Sequence, residues 1–409
     1  MAKIQAGAGF SINPDTLKAG REAAREALKQ AGLDEAEWVL CFFSPHHMAK
    51  ADGLHQTLLA ETGCRTLCGS SGSGVLTHRG ETQAGPGVAV LAGGGRASGS
   101  ARGPTSPFRV TGGVLPGDKD RLAGFFGGDA GPAAKKPATG NPNNSALLLF
   151  PDGYRMDATE LLANVADSLQ GHPIYGAGST DDGQKGFGLQ MGGEGVRSGS
   201  VSVMGFQGAM EVAAGVAQSC LAVGDPHFVT ESHGAVLTKL DGRRALDVYL
   251  EQCEAHGLED MQAAVENMLF GFPLTPKTPM FTGGDCVVRH MQGFEADSGG
   301  LIMPHPLEGN PVVSFMLKTP FGAERDMNRM VSRLAGELSG PPDFGVYLNC
   351  MGRGERLYGR PDVDISIIRK KLGVFPLVGM NGGFEIATRR AKPWVYTYTG
   401  VLVLFRSTQ

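Results

Sequence analysis

The chain predicts an α/β protein of two domains, in which duplicated strand-helix-strand-glycine turn-strand modules form mixed sheets flanked by helices. Three observations predict it. Short apolar runs alternate with stripes of helical period. A turn rich in Gly, Ser or Asn recurs at the same step of that cycle. Glycine is abundant, 62 of 409 residues, without the G-x-y period of collagen, so close backbone approaches and turns must use it.

The first module opens after a helix expected over 15–31. There Asp15 is the N-cap, and Leu17, Gly20, Ala24, Ala27 and Leu28 share a face. "WVLCFFS" (38–44) reads as a buried strand and 52–62 as a helix with Leu54, Leu58 and Leu59 on its stripe. "RTLCGSSGSG" (65–74) is a short strand running into a turn, and "GVAVLAGGG" (87–95) is a strand. The second module repeats the cycle. It has a strand at 145–153, a helix at 157–169 with Asp157 and Glu160 as a capping box, "HPIYGAGSTDDG" (172–183) and a strand at 199–206. The third has a strand at 344–354, a helix at 361–372 capped by Asp362, "PLVGMNGGFEI" (376–386) and a strand at 396–405. Aligning Phe43 with Phe150 places Gly69 and Gly176 at one offset; the third copy is longer before Gly379.

Residues 93–107 and 127–144, rich in Gly, Pro and Ser, read as surface excursions. Past the second module the pattern changes to a hairpin at 227–242 and a helix ended by Gly257. The domain boundary is placed near Gly224-Asp225, giving domains 1–225 and 226–409.

Charge is nearly balanced, 37 Lys plus Arg against 41 Asp plus Glu, so nothing marks a nucleic-acid binder. Seven sparse cysteines suit a reducing compartment. "MAKIQAGAGF" lacks the apolar core of a signal peptide, and no run of about 18 apolar residues could span a bilayer. The expectation is a cytoplasmic protein.

The usual catalytic signatures are missing. "GFPLTPKT" (271–278) has Pro276 where a phosphate loop needs its second glycine, and none of the three turns opens a helix in the dinucleotide-binding pattern. "CGSSGSG" has the wrong spacing for a nucleophile elbow. Cys64 and Cys68 have no second pair to complete a zinc site. Of His46 and His47, one as an axial haem ligand is the alternative to a plain surface loop.

The candidate ligand-binding residues cluster at the turns and strand ends: Ser70, Ser71 and Ser73, then Thr180, Asp181 and Asp182, then Arg353, Asn381 and Glu385. Ligands of α/β folds bind beyond the carboxyl ends of strands. There an arginine suits a carboxylate and an acid suits an amine. Solvated turn residues are the bland alternative.

At these residues the chain resembles the FIST proteins, with FIST N and FIST C domains. "WVLCFFSP" and "RTLCGSSGSGVL" carry the resemblance in the first half. "GAVLTKLDGRRALDVYLE", "VVRHMQGFEADSGGLIMPHPLEGNPVVSF", "YLNCMGRGE" and "FPLVGMNGGFEIA" carry it in the second. The resemblance implies a sensory module of intracellular signal transduction that binds a small ligand such as an amino acid. Some relatives look like haem-binding nitric oxide sensors; others are fused to output domains or carry an F-box. This chain has room for none of those domains, so a separate signalling output protein is expected. The chain departs from the resemblance at one point: relatives often carry Glu after the first turn, where this sequence has Gly74. An uncharacterised enzyme and an interaction scaffold remain as rivals.

Overall fold

The structure is a computed structural model that describes residues 4–94, 96–97, 108–116, 144–165, 171–275, 285–307 and 312–408. The stretches 93–107 and 127–144, and Leu169, lie largely or wholly outside the described residues. Two compact units result, neither continuous in sequence. One comprises Met1–Val216, Arg329–Val395 and Thr399–Gln409; the other comprises Ala217–Asn328 and Tyr396–Tyr398. All three modules thus belong to the first unit, across the linear cut near residue 225.

Each module builds a sheet on one plan. Its lead strand pairs in parallel with its short second strand and antiparallel with its closing strand. In the first module these are Trp38–Phe43, Thr66–Ser71 and Val88–Gly93. In the second they are Ser145–Pro151, Ile174–Ala177 and Ser200–Gly208. In the third they are Phe344–Cys350, Leu377–Gly382 and Thr399–Ser407. The strand that follows each glycine turn leaves its own sheet. Gly74–Thr77 of the first module joins the third sheet at Leu377–Gly382. Gln190–Gly192 of the second joins the first sheet at Thr66–Ser71. Glu385–Arg389 of the third joins the second sheet at Ile174–Ala177. The exchange closes a cycle of three, which makes the duplication visible in hydrogen bonds as well as in pattern.

The module glycines have one physical cause. Gly69, Gly176 and Gly379 are the register partners of Cys41, Leu149 and Tyr347 on their lead strands. A Cβ on Gly69 would lie 2.5 Å from the Cys41 carbonyl oxygen, and those on Gly176 and Gly379 would lie nearer still to Leu149 O and Tyr347 O. No side chain fits where the backbone comes so close. This pairing makes Cys41 equivalent to Leu149. The sequence alignment on Phe43 and Phe150 was one residue out.

Aromatic rings from all three sheets fill the core. Trp38 meets Phe206 at 5.2 Å and Phe344 at 5.2 Å, and Phe344 stacks on Phe405 at 4.5 Å. Such pairs add about 0.5–1.5 kcal/mol each beyond their burial. Helix Thr16–Ala31 begins at Asp15, whose carboxylate accepts from Lys18 N, as expected. It buries Gly20, Ala24, Ala27 and Leu28, but Leu17 turns outward at 42% exposure, off the expected face. Asp157 caps helix Ala158–Val165 by accepting from Thr159 N and Glu160 N. Asp362 stands at the N-cap position of helix Val363–Leu372, as expected, but its side chain makes no capping bond. Its own φ is 63°, and its carboxylate accepts instead from Glu81 N at 2.8 Å.

The second unit is one antiparallel sheet in the order Cys286–Arg289, Met268–Pro273, Val312–Lys318, Cys220–His233, Val236–Leu240, Leu301–Ile302, Gly293–Phe294. The expected hairpin is present, with His233 opposite Val236. Helix Ala245–Ala255 follows, and Gly257 adopts φ 72° just beyond it. Tyr249 of that helix stacks on Phe270 at 5.6 Å. Among the described residues no helix is long and apolar enough to cross a membrane.

Candidate functional site

The three glycine turns interlock. Thr180 N donates to Ser71 O at 3.2 Å, Gly383 N to Gly178 O at 3.0 Å, and Ser73 N to Asn381 O at 2.9 Å. These are one bond made three times, because Ser73, Thr180 and Gly383 each lie four residues beyond the module glycine. The bends therefore surround one centre. Four residues marked from the sequence, Ser71, Ser73, Thr180 and Asn381, take part in this ring directly.

The serines spend their hydroxyls on the turns themselves. Ser70 donates to Ser71 O at 3.1 Å, Ser71 to Thr180 O at 2.9 Å, and Ser73 to Asn381 O at 3.2 Å. Asp181 organises its own loop, accepting from Gly183 N at 2.9 Å, from Gly186 N at 3.2 Å, from Lys185 N and from the Tyr154 hydroxyl. Burial works to raise its carboxyl, but these bonds prevail and hold it below the ordinary carboxylate range. Asp182 is exposed and accepts from Gln184 N at 3.3 Å.

Arg353 is wholly buried, and its charge is met inside the protein. Its Nη2 reaches Asp364 Oδ1 at 3.0 Å and Oδ2 at 3.1 Å. Asp364 also accepts from the Tyr347 hydroxyl at 2.7 Å and the Tyr358 hydroxyl at 2.7 Å. The Tyr347 hydroxyl oxygen also lies 3.2 Å from Asn349 Oδ1. Asn349 is the register partner of Asn381 on the next strand, so the two amides are neighbours.

The ladders also show which residues correspond around the ring. Ser70, Ala177 and Met380 lie opposite Gln190, Glu385 and Val75. Glu385 therefore corresponds to Gln190 in the second module and to Val75 in the first. Alignment by sequence alone matches it to Gly74, one residue away. Glu385 Oε2 accepts from Thr399 N at 3.3 Å and Thr399 Oγ1 at 2.6 Å. Gln190 Oε1 repeats this at Ser200, accepting from N at 3.2 Å and Oγ at 2.9 Å. In the first module the pair is apolar: Gly87 lies against Val75, where a Cβ would come within 2.6 Å of its methyl group.

The remaining side-chain atoms differ. Gln190 Nε2 donates to Ser179 Oγ, whereas Glu385 Oε1 is buried and has no hydrogen-bond partner. Asn381 Nδ2 and Oδ1 and Asn349 Nδ2 share that condition. Burial pushes the Glu385 carboxyl up to about 8, against the Thr399 bonds and the positive charge of Arg353. Arg353 thus lies near enough for its field to act on Glu385.

A pH dependence follows. A carboxyl raised on folding binds its proton more tightly in the native state. Its contribution is complete below the unfolded value of 4.5 and is lost as pH rises through about 8. Glu385→Gln copies the Gln190 arrangement and keeps the Thr399 bonds. It is expected to remove that slope, making the variant more stable than wild type at pH 8.5 by more than about 1 kcal/mol. Denaturant midpoints of both proteins from pH 5 to 8.5 check this.

Asn349, Tyr347, Asp364, Gln190 and Thr399 were not marked from the sequence. The available signals were polar residues interrupting apolar patterns, Asn349 in "VYLNC" and Asp364 on the buried side of its helix. Of the paired histidines, His47 is buried, with Nδ1 bonded to Thr16 Oγ1 at 3.0 Å. Burial lowers its pKa to about 4, so it is neutral at pH 7. His46 bonds the Pro14 carbonyl at 3.2 Å. Among the described residues no group of three or more His, Cys, Asp or Glu is placed to hold a metal ion.

Comparison with known proteins gives the context. The chain is 25% identical to an uncharacterized protein of Mycobacterium tuberculosis (strain CDC 1551 / Oshkosh), covering 98% of this chain and 100% of that one. It is 23% identical to an uncharacterized protein of Mycobacterium bovis (strain ATCC BAA-935 / AF2122/97), covering 98% and 99%. The FIST N domain model matches residues 37–243 and the FIST C domain model residues 245–388. The interlocked modules thus sit in a chain that belongs to the FIST family, whose domains are sensory modules of signal transduction.

Proposed function

We propose that this protein senses a small ligand of the α-amino-acid class, bound at the third module. One observation carries the reading. At the positions equivalent to Glu385 and Thr399, the first module is apolar, with Val75 and Gly87, and the second satisfies its own polar atoms, while the third leaves Glu385 Oε1, and with it Asn381 and Asn349 Nδ2, buried without partners. A buried polar atom left unpaired costs about 1–3 kcal/mol, a cost that a ligand with matching groups removes. Glu385 suits an ammonium group. The neighbouring amides of Asn381 and Asn349 suit a carboxylate. Arg353 is held by Asp364 and so contributes its positive field, in place of the direct clamp expected from the sequence. Signalling then passes to a separate output protein in the cytoplasm.

A thermal-shift screen of the twenty amino acids at millimolar concentration tests this. At least one is expected to raise the unfolding midpoint, and Asn381→Leu is expected to weaken that response tenfold or more. If none of the twenty shifts the midpoint, the amino-acid reading is wrong.

A further inference from the structure

The second and third modules correspond residue by residue at one place. Ser179 is three residues beyond Gly176, and Gly382 is three beyond Gly379, so they correspond. In the second module Ser179 Oγ accepts from Gln190 Nε2 and donates to Pro151 O at 3.0 Å. The third module has a carboxylate in place of that amide, and glycine in place of that serine. The residue corresponding to Pro151 is Asn349, since Leu149 and Tyr347 pair with the module glycines.

We infer that Glu385 Oε1, the Asn349 main-chain carbonyl and the bare backbone of Gly382 form a subsite for a primary ammonium group, whose nitrogen takes the place that the Ser179 hydroxyl holds in the second module. The inference rests on the amino-acid reading and names its anchoring contact. A group seated there faces two acceptors once Glu385 is ionised. A hydroxyl has one proton to give, whereas a primary ammonium has three. The charge favours it further, because a buried carboxylate needs a cation beside it. Space restricts the approach: a Cβ on Gly382 would lie 2.8 Å from Ala177 Cβ and 3.0 Å from Gly178 O, so only the nitrogen takes the place of the serine hydroxyl and the carbon bearing it must lie elsewhere than at the Cβ place. The copy in the second module is closed by its own serine, and the first has Val75. One ligand per chain follows.

Methylammonium is the direct probe, because it is the smallest primary ammonium that carries a carbon. The unfolding midpoint of the full chain is measured with methylammonium, tetramethylammonium and methanol at matched concentrations. Methylammonium is expected to raise it by about 2 °C or more above the other two near saturation. Glu385→Gln, which retains the Thr399 bonds, is expected to abolish the difference. Equal responses to all three probes, a response matched by methanol, or a response that survives Glu385→Gln would each overturn the inference. The two readings fail separately. Methylammonium binding without any amino-acid binding leaves the subsite standing and removes the amino-acid reading. Amino-acid binding undiminished in Glu385→Gln does the reverse.

Discussion

Gly379→Ala is expected to destabilise the first unit by more than about 4 kcal/mol, enough to prevent folding at ordinary temperature. The added Cβ would fall inside contact distance of the Tyr347 carbonyl oxygen and 2.8 Å from the Leu76 side chain. A flexible side chain could move. The Tyr347 carbonyl cannot, because its strand is paired on both sides, to Leu377–Gly382 and to Thr399–Ser407. Gly176→Ala meets the same obstacle at Leu149 O and should behave alike. Gly193→Ala, where a Cβ has nothing within 4 Å, is the control and should change stability by less than about 1 kcal/mol. Denaturant unfolding of the three variants decides. A Gly379→Ala protein as stable as the Gly193→Ala control would show that the three close approaches are not needed.

Asp364→Ala is expected to cost about 3–5 kcal/mol. It strips the buried Arg353 guanidinium of its carboxylate and takes one acceptor from both Tyr347 and Tyr358. Much of that cost belongs to the charge left behind. The double variant Asp364→Leu with Arg353→Met removes both charges and should lose less than the single variant does. A double-mutant cycle with Arg353→Met gives the coupling directly. If the double variant proves less stable than Asp364→Ala, the pair contributes net stability and the buried-charge account fails. The same cycle bears on the site, since losing Arg353 removes a field that holds the Glu385 carboxyl down. Its titration should then move upward.

The modules were legible because each step has a local cause. An apolar run such as Trp38–Phe43 announces a strand buried on both faces, Asp15 and Asp157 announce helix starts, and a glycine turn announces a bend. Asp362 misled because an acidic residue ahead of a helix suits two partners, and here Glu81 N, from a distant part of the chain, is the one it serves. Leu17 misled because helical period marks a stripe without saying how far the neighbouring element covers it. The candidate site was legible only in its turns. Ser71, Thr180, Asn381 and Glu385 belong to turns whose composition drew attention. Asp364, Gln190 and Thr399 acquire meaning only through partners far along the chain.

The amino-acid order alone determined three strand-helix-turn units and the glycine at the bend of each, since propensity, period and the space a Cβ needs are local properties. Tertiary structure alone decided that each unit lends a strand to the next, and that Glu385 stands where Gln190 stands. The reason is that a strand's N–H and C=O groups fit any neighbouring edge. The edge that wins is chosen by how whole sheets pack around Trp38, Phe206 and Phe344.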